Sequence, residues 1–268
     1  MKIEGKRILI SGATGGLGVA ISHQLASEGA LLVLSARSAE ALDRLVTQLP
    51  GGGSMHTAIE TDLTEPDAPE RLIAASGDLD GFIANAALPG TGKLESFSDE
   101  QLRRALRVNF EVPLIMAREI APALAAKGEG HLVFIASLAG KVASPRGSLY
   151  SSTKFGLRGL AFGLREDLRP EGIGVSIISP GFVRDAGMFH DTGSEAPGVL
   201  GTTTPEKVAK AVSKAIRKDR SEVTVAPIRQ RVAAEIGYRH PEWAGRVQRL
   251  GGAEGIVGEL EDRQAEKR

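Results

Sequence analysis

The chain has 268 residues, with Lys+Arg 33 against Asp+Glu 33 and no cysteine. Zero net charge supplies no field toward nucleic acid or anionic lipid, and the missing cysteines exclude disulfides, thiolate zinc sites and a cysteine nucleophile. No apolar run approaches the ~18 residues of a membrane span, and the run near the start is too short for a signal peptide, so a cytoplasmic protein is expected.

RILIS (7–11) reads as a strand, followed by a glycine turn and a helix over 17–28. LLVLSA (31–36) is the second strand, with a helix ending near Leu49. Gly51-Gly52-Gly53 punctuates, and MHTAIE (55–60) and GFIANAA (81–87) read as the next strands. HLVFIAS (131–137), GVSIISP (174–180) and EVTVA (222–226) complete the set, with helical stretches at about 100–125 and 148–168. Nearly all-apolar strands alternating with helices predict an α/β fold: a single Rossmann-type, doubly wound parallel sheet with helices on both faces. Residues 1–226 are expected to form the dinucleotide-binding and catalytic domain. Residues 227–268 read as a charged, helical extension of it. The Gly-, Thr- and Pro-rich stretch 184–205 is expected to cover a site rather than link domains.

Glycine is abundant, 33 of 268 residues, and it concentrates where the first strand meets the first helix: Ser11-Gly12-Ala13-Thr14-Gly15-Gly16-Leu17-Gly18. Such a turn lets a phosphate approach bare backbone N–H groups at a helix N-terminus, where the dipole favours negative charge. A tight turn without a ligand is the bland alternative. The second strand ends Ser35-Ala36-Arg37-Ser38, with no acid for a ribose 2′-OH. Arg37 can grip a 2′-phosphate and Ser38 can add a hydrogen bond, so NADPH/NADP+ is expected over NADH.

Tyr150 and Lys154 stand four apart in a helical stretch, which puts them on one face. The ammonium is expected to lower the phenol pKa, making Tyr150 a proton donor or acceptor. Ser137 ends a strand at the carboxyl edge of the sheet, where it can hydrogen-bond a substrate oxygen. A surface Tyr–Lys pair is the alternative. The five histidines (23, 56, 131, 190 and 240) show no ligand spacing, so no metal is expected.

Taken in order, these motifs resemble the short-chain dehydrogenase/reductase family over roughly residues 5–226. Gly12-x-x-x-Gly16-x-Gly18 resembles its cofactor turn, Asp62-Leu63 its adenine-contacting pair, and Asn85-Ala86-Ala87 its Asn-Ala-Gly motif. Pro180-Gly181 resembles its nicotinamide-side turn. The resemblance implies a catalytic tetrad of Asn109, Ser137, Tyr150 and Lys154, with Lys154 also holding the nicotinamide ribose and Asn109 supporting a relay water. It also implies a homodimer or homotetramer through the helices at 100–125 and 148–168. Two departures matter. Ala87 replaces the motif's last glycine, and Asp185 stands where the family often has a carboxamide-touching Thr, leaving the Val183 backbone to serve.

The expected function is hydride transfer between NADPH and a small-molecule carbonyl or alcohol substrate. Met188, Phe189, Val199 and Leu200 suggest a hydrophobic one, with Arg184 the one nearby cation that could clamp an anion. A non-catalytic NADPH-binding redox sensor would need the glycine turn and Arg37 but not the Ser-Tyr-Lys set. A methyltransferase would usually carry an acid after the second strand. A serine hydrolase would flank its nucleophile with glycines, which Ser137 lacks.

Overall fold

The computed structural model describes residues 1–185 and 201–242. Met188, Phe189, Val199 and Leu200, the apolar residues of the expected cover, and the end of the extension beyond 242 lie outside them. Seven parallel strands form one sheet: β1 (Arg7–Ser11), β2 (Leu31–Ala36), β3 (Thr57–Glu60), β4 (Gly81–Ala84), β5 (Gly130–Ile135), β6 (Ile173–Pro180) and β7 (Glu222–Val225). Their order is β3-β2-β1-β4-β5-β6-β7, the doubly wound arrangement the apolar runs predict.

β5 and β7 are one residue shorter than their patterns, and β3 and β4 are shorter by two and three. His56 drops out of β3 because its ring Nδ1 accepts the Leu32 N–H at 3.1 Å and its Nε2 meets the Pro50 carbonyl at 2.9 Å. β4 stops at Ala84 because the Asn85 and Ala86 N–H groups turn to the Ser11 hydroxyl.

The helices are α1 (Gly16–Ser27), α2 (Ala39–Gln48), α3 (Ala68–Ser76), α4 (Asp99–Leu106), α5 (Val112–Lys127), α6 (Ser148–Leu168), α7 (Pro205–Lys218) and α8 (Ile228–Arg239). Successive strand side chains point to opposite faces. Ile8, Ile10 and Leu34 therefore pack under α1, α2 and α7, while Leu9, Phe82 and Phe134 pack under α3, α5 and α6. The stretch expected as one helix at 100–125 is two, joined by a wide π-helical turn at Arg107–Glu111. Among the described residues no helix is long and apolar enough to cross a membrane.

The extension is fastened to the body through Glu222 at the start of β7. Its carboxylate takes Lys141 at 3.0 Å and Arg158 at 2.9 Å, and Arg158 stacks on Tyr238 of α8 with 5.3 Å to the ring centroid. Burial pushes the Glu222 pKa up, but the two cations outweigh it and hold the carboxyl below its ordinary value. Removing the charge strands two poorly hydrated cations, which costs about 2–4 kcal/mol. Glu222→Gln is therefore expected to lower the thermal midpoint by several degrees. An unchanged midpoint would show that this cluster does not hold α8.

Candidate active site

The site forms where the sheet reverses direction, between the carboxyl ends of β1 and β4. Gly12 has φ +64°, and a Cβ there would lie 2.8 Å from the Ala86 Cα. A Cβ on Gly18 would lie 2.3 Å from the Gly12 carbonyl oxygen, so only glycine lets α1 start this close to the turn. Gly15 offers no capping side chain, and the first turn of α1 carries no acid. The N–H groups of Gly16, Leu17 and Gly18 thus have no helical acceptor by position, and with the half-buried Thr14 they form a cradle suited to a pyrophosphate.

Asn85 is occupied in holding this turn: its amide donates to the carbonyls of Ser11 at 3.2 Å and Gly12 at 2.9 Å. Arg37 is exposed at the end of β2. Ser38 caps α2 by accepting the Ala41 N–H at 3.2 Å, so its own hydroxyl hydrogen can still be donated. Asp62 accepts from the Thr64 N–H at 2.9 Å and the Thr64 hydroxyl at 2.8 Å. Burial pushes its carboxyl up, but Thr64 and the charges of Arg37 and Arg104 bring it below its ordinary value. Leu63 is buried in the core, leaving its backbone for any contact.

Ser137 follows β5 and starts a short 3-10 turn, accepting the Ala139 N–H at 3.1 Å. That turn lies directly on α6: a Cβ on Gly140 would be 2.6 Å from the Lys154 carbonyl oxygen. Ser137 is thereby placed to hydrogen-bond the half-buried Tyr150. Lys154 is buried at 2 % exposure and donates to the Ile135 carbonyl at 3.0 Å. Its ammonium sits 5.4 Å from the Tyr150 ring centroid. Asn109 sits in the wide turn after α4, accepting the Leu88 N–H at 2.6 Å and donating to the Leu88 carbonyl at 2.9 Å. Its side chain braces the loop after β4.

The expected lowering of the Tyr150 pKa is not found. Burial raises it to about 12, against a smaller downward pull from the Ser137 hydrogen bond, and burial lowers Lys154 to about 8. Desolvation drives each group toward its neutral form, and Tyr150 is a neutral phenol that holds its proton.

Beyond Pro180, the Gly181 N–H donates to the Val225 carbonyl at 3.0 Å, and Val183 pairs with Thr203 in an isolated parallel bridge. Asp185 adopts φ +68° and pairs its carboxylate with Arg184 at 3.0 Å, so Arg184 already has an anion. Two contributors were not singled out from sequence. Gly90 accepts the Tyr150 N–H at 3.3 Å, and Gln230 of α8 reaches the turn after Pro180. Neither belongs to a local pattern, because each meets the site across 48–60 residues.

A family model described as short chain dehydrogenase matches residues 6–197. The chain is 31% identical to the ketoacyl reductase HetN of a Nostoc species, over 99% of this chain and 94% of that one. A metagenomic short-chain oxidoreductase solved in complex with NADP is 30% identical, with a TM-score of 0.71, covering 85% of this chain and 99% of its own. A short-chain dehydrogenase of Sphingobium yanoikuyae in complex with NADPH is 25% identical, with a TM-score of 0.77, covering 89% and 95%.

The depressed Lys154 pKa fixes a sign. Between pH ~8 and ~10.5 the unfolded chain keeps a proton that the folded one has released, so stability rises with pH across that window. A shift from 10.5 to about 8 is worth on the order of 3 kcal/mol. In denaturant titrations the wild type is expected to gain about that much over Lys154→Met between pH 7.5 and 10.5, whatever their offset at pH 7.5. Parallel curves would refute a desolvated ammonium.

Proposed function

The chain belongs to the short-chain dehydrogenase/reductase family, and from that premise we propose that it is an NADPH-dependent reductase of hydrophobic ketones. One observation carries the reading: a neutral Tyr150 hydrogen-bonded to Ser137, with buried Lys154 one turn along, at the same sheet edge as an uncapped glycine turn. A phosphate-binding protein without turnover needs the turn but has no use for that trio.

Nicotinamide, when bound, supplies the hydride for reduction or accepts it for oxidation. Ser137 orients the substrate carbonyl by donating to its oxygen. Tyr150 delivers its phenolic proton to that oxygen as negative charge develops, and its high pKa at rest suits it to the reductive direction. Lys154 stabilises the phenolate left behind and lies on the same helix face, where it can hold a ribose hydroxyl. Asn109 keeps the loop after β4 in register with this group through Leu88.

The cradle of Gly12, Gly16 and Gly18 suits the pyrophosphate. Arg37 and Ser38 suit a 2′-phosphate, and the two solved relatives holding NADP or NADPH support the same choice. Asp62, Leu63, Asn85, Ala86, Pro180, Gly181 and Val183 would complete the cofactor's contacts, mostly through backbone. A hydrophobic substrate is supported by the apolar residues within 187–200 and by the ketoacyl reductase name of the Nostoc relative. The contacts of α8 with Arg158 and Phe182 support treating 227–268 as an extension of one domain. Leu114 and Phe155, each 38% exposed on α5 and α6, support a homo-oligomer through those helices.

A panel of ketones, 3-oxoacyl thioesters, steroids and sugars, followed by NADPH absorbance, tests the reading. Tyr150→Phe is expected to bind NADPH normally and to lose ~10²–10⁴-fold in turnover. Wild-type turnover in that variant would overturn the mechanism, and NADPH binding without consumption on any substrate would favour a sensor.

Arg37→Asp is expected to weaken NADPH at least ~10-fold, since it exchanges a charge-assisted bond for repulsion, and to improve NADH. Tighter binding of NADH than NADPH by the wild type, measured by fluorescence titration, would refute the role of Arg37.

A further inference from the structure

We propose that Gln230 is a positioning residue for hydride transfer: it ties together two chain passages, 181–184 and 201–203, and so sets where the backbone after Pro180 stands. The proposal rests on the oxidoreductase reading above, which puts the nicotinamide beside Pro180-Gly181.

Gln230 lies on α8, outside the strands and helices that the family motifs occupy, and is 4% exposed. Its Oε1 accepts the Phe182 N–H at 3.2 Å, and its Nε2 donates to the Gly201 carbonyl at 2.6 Å. One amide thus bridges backbone on either side of residues 186–200. The same passages are sewn together just beyond it: Thr203 N–H donates to the Phe182 carbonyl at 2.8 Å, and Arg184 N–H to the Thr203 carbonyl at 3.0 Å.

The fit is close. A Cβ on Gly181 would stand 2.0 Å from Gln230 Oε1 and 2.8 Å from the Ala226 Cβ. The glycine of Pro180-Gly181 is therefore favoured from the side of Ala226 and Gln230. Leu or Met would fill the volume of a buried side chain at 230. An amide that both accepts and donates instead fixes the distance between two backbone strands, because each partner satisfies a different end of it. α8 is itself held against α6 through Tyr238 and Arg158, one turn beyond Lys154. The helix thereby connects the proton-transfer side of the site with the turn after Pro180. An error of ~1 Å in such placement is enough to slow a reaction strongly.

Two variants separate positioning from simple stability. Gln230→Met keeps the volume and removes both hydrogen bonds. Gln230→Glu keeps the acceptor for Phe182, but once ionised its second oxygen faces the Gly201 carbonyl, whereas its neutral carboxyl restores a donor there. We expect folded Gln230→Met to lose ~10-fold or more in kcat/KM and to show a larger isotope effect with NADPH deuterated at C4, its NADPH Kd changing less than threefold. The kcat/KM of Gln230→Glu relative to wild type is expected to recover at least ~5-fold from pH 8.5 to pH 6, since burial raises the introduced carboxyl's pKa. A flat ratio, with wild-type kcat and isotope effect in Gln230→Met, would overturn the proposal.

Amide exchange gives a readout without turnover. NADP+ is expected to slow exchange over 179–185 in the wild type and much less in Gln230→Met; equal slowing would also overturn it. If the wild type binds NADP+ but reduces no carbonyl, the oxidoreductase reading fails while the exchange result still decides the role of Gln230. If NADP+ does not bind at all, both fall.

Discussion

Everything in this molecule depends on how closely two backbones approach at the centre of the sheet. The turn after β1 and the residues after β4 touch at Gly12 and Ala86, and Asn85 pins them with two amide hydrogen bonds while the Ser11 hydroxyl accepts from two N–H groups. Each bond contributes only about 1 kcal/mol net, but breaking one here strands a shielded polar group at a cost of ~1–3 kcal/mol. The two halves of the sheet are also joined by the pairing of β1 with β4 and by the packing of α1 on α7, where the Ser213 hydroxyl donates to Glu28 at 2.6 Å. The Asn85 tie fixes the angle at which α1 leaves the sheet, and with it the direction in which the first helical N–H groups point.

The second governing effect is desolvation. Attraction between Tyr150 and Lys154 was expected to dominate, but both groups are shielded, and each is driven toward its neutral form. Among the described residues the lysine lies over the phenol ring and donates to a main-chain carbonyl rather than to a carboxylate. Carrying such a group costs folding stability, a cost common at sites where a charge is wanted at one moment of a reaction and unwelcome at others.

Much of the fold was legible because parallel strands covered on both faces must be apolar throughout, and the five inner strands are such runs, while β3 and β7 at the sheet's edges are only partly buried. The strand ends were less legible. His56 leaves β3 for a side-chain bond to a neighbouring strand, and the Ser11 hydroxyl ends β4; neither partner is local. Ser137, Tyr150 and Lys154 were readable since two sit four apart on a helix and the third ends a strand. The protonation of Tyr150 was not, because it depends on how much protein surrounds the ring. Gln230 was invisible for a similar reason: a glutamine in a charged helix carries no sign that it will be buried against backbone 29 and 48 residues away.

The wide turn at Arg107–Glu111 has a consequence for how the chain tolerates change in length. A π-helical turn holds one residue more than an ordinary α-helical one, so α4 and α5 are offset by that residue and Asn109 faces Leu88 only because of it. Deleting any one residue of 107–111 other than Asn109 leaves room for a continuous, well-formed helix, yet it rotates Asn109 by about 100° relative to one flank. Helical content and solubility would report an intact protein while the brace on the loop after β4 was gone. Insertions and deletions in this stretch are thus silent to most tests of folding and audible only at the site.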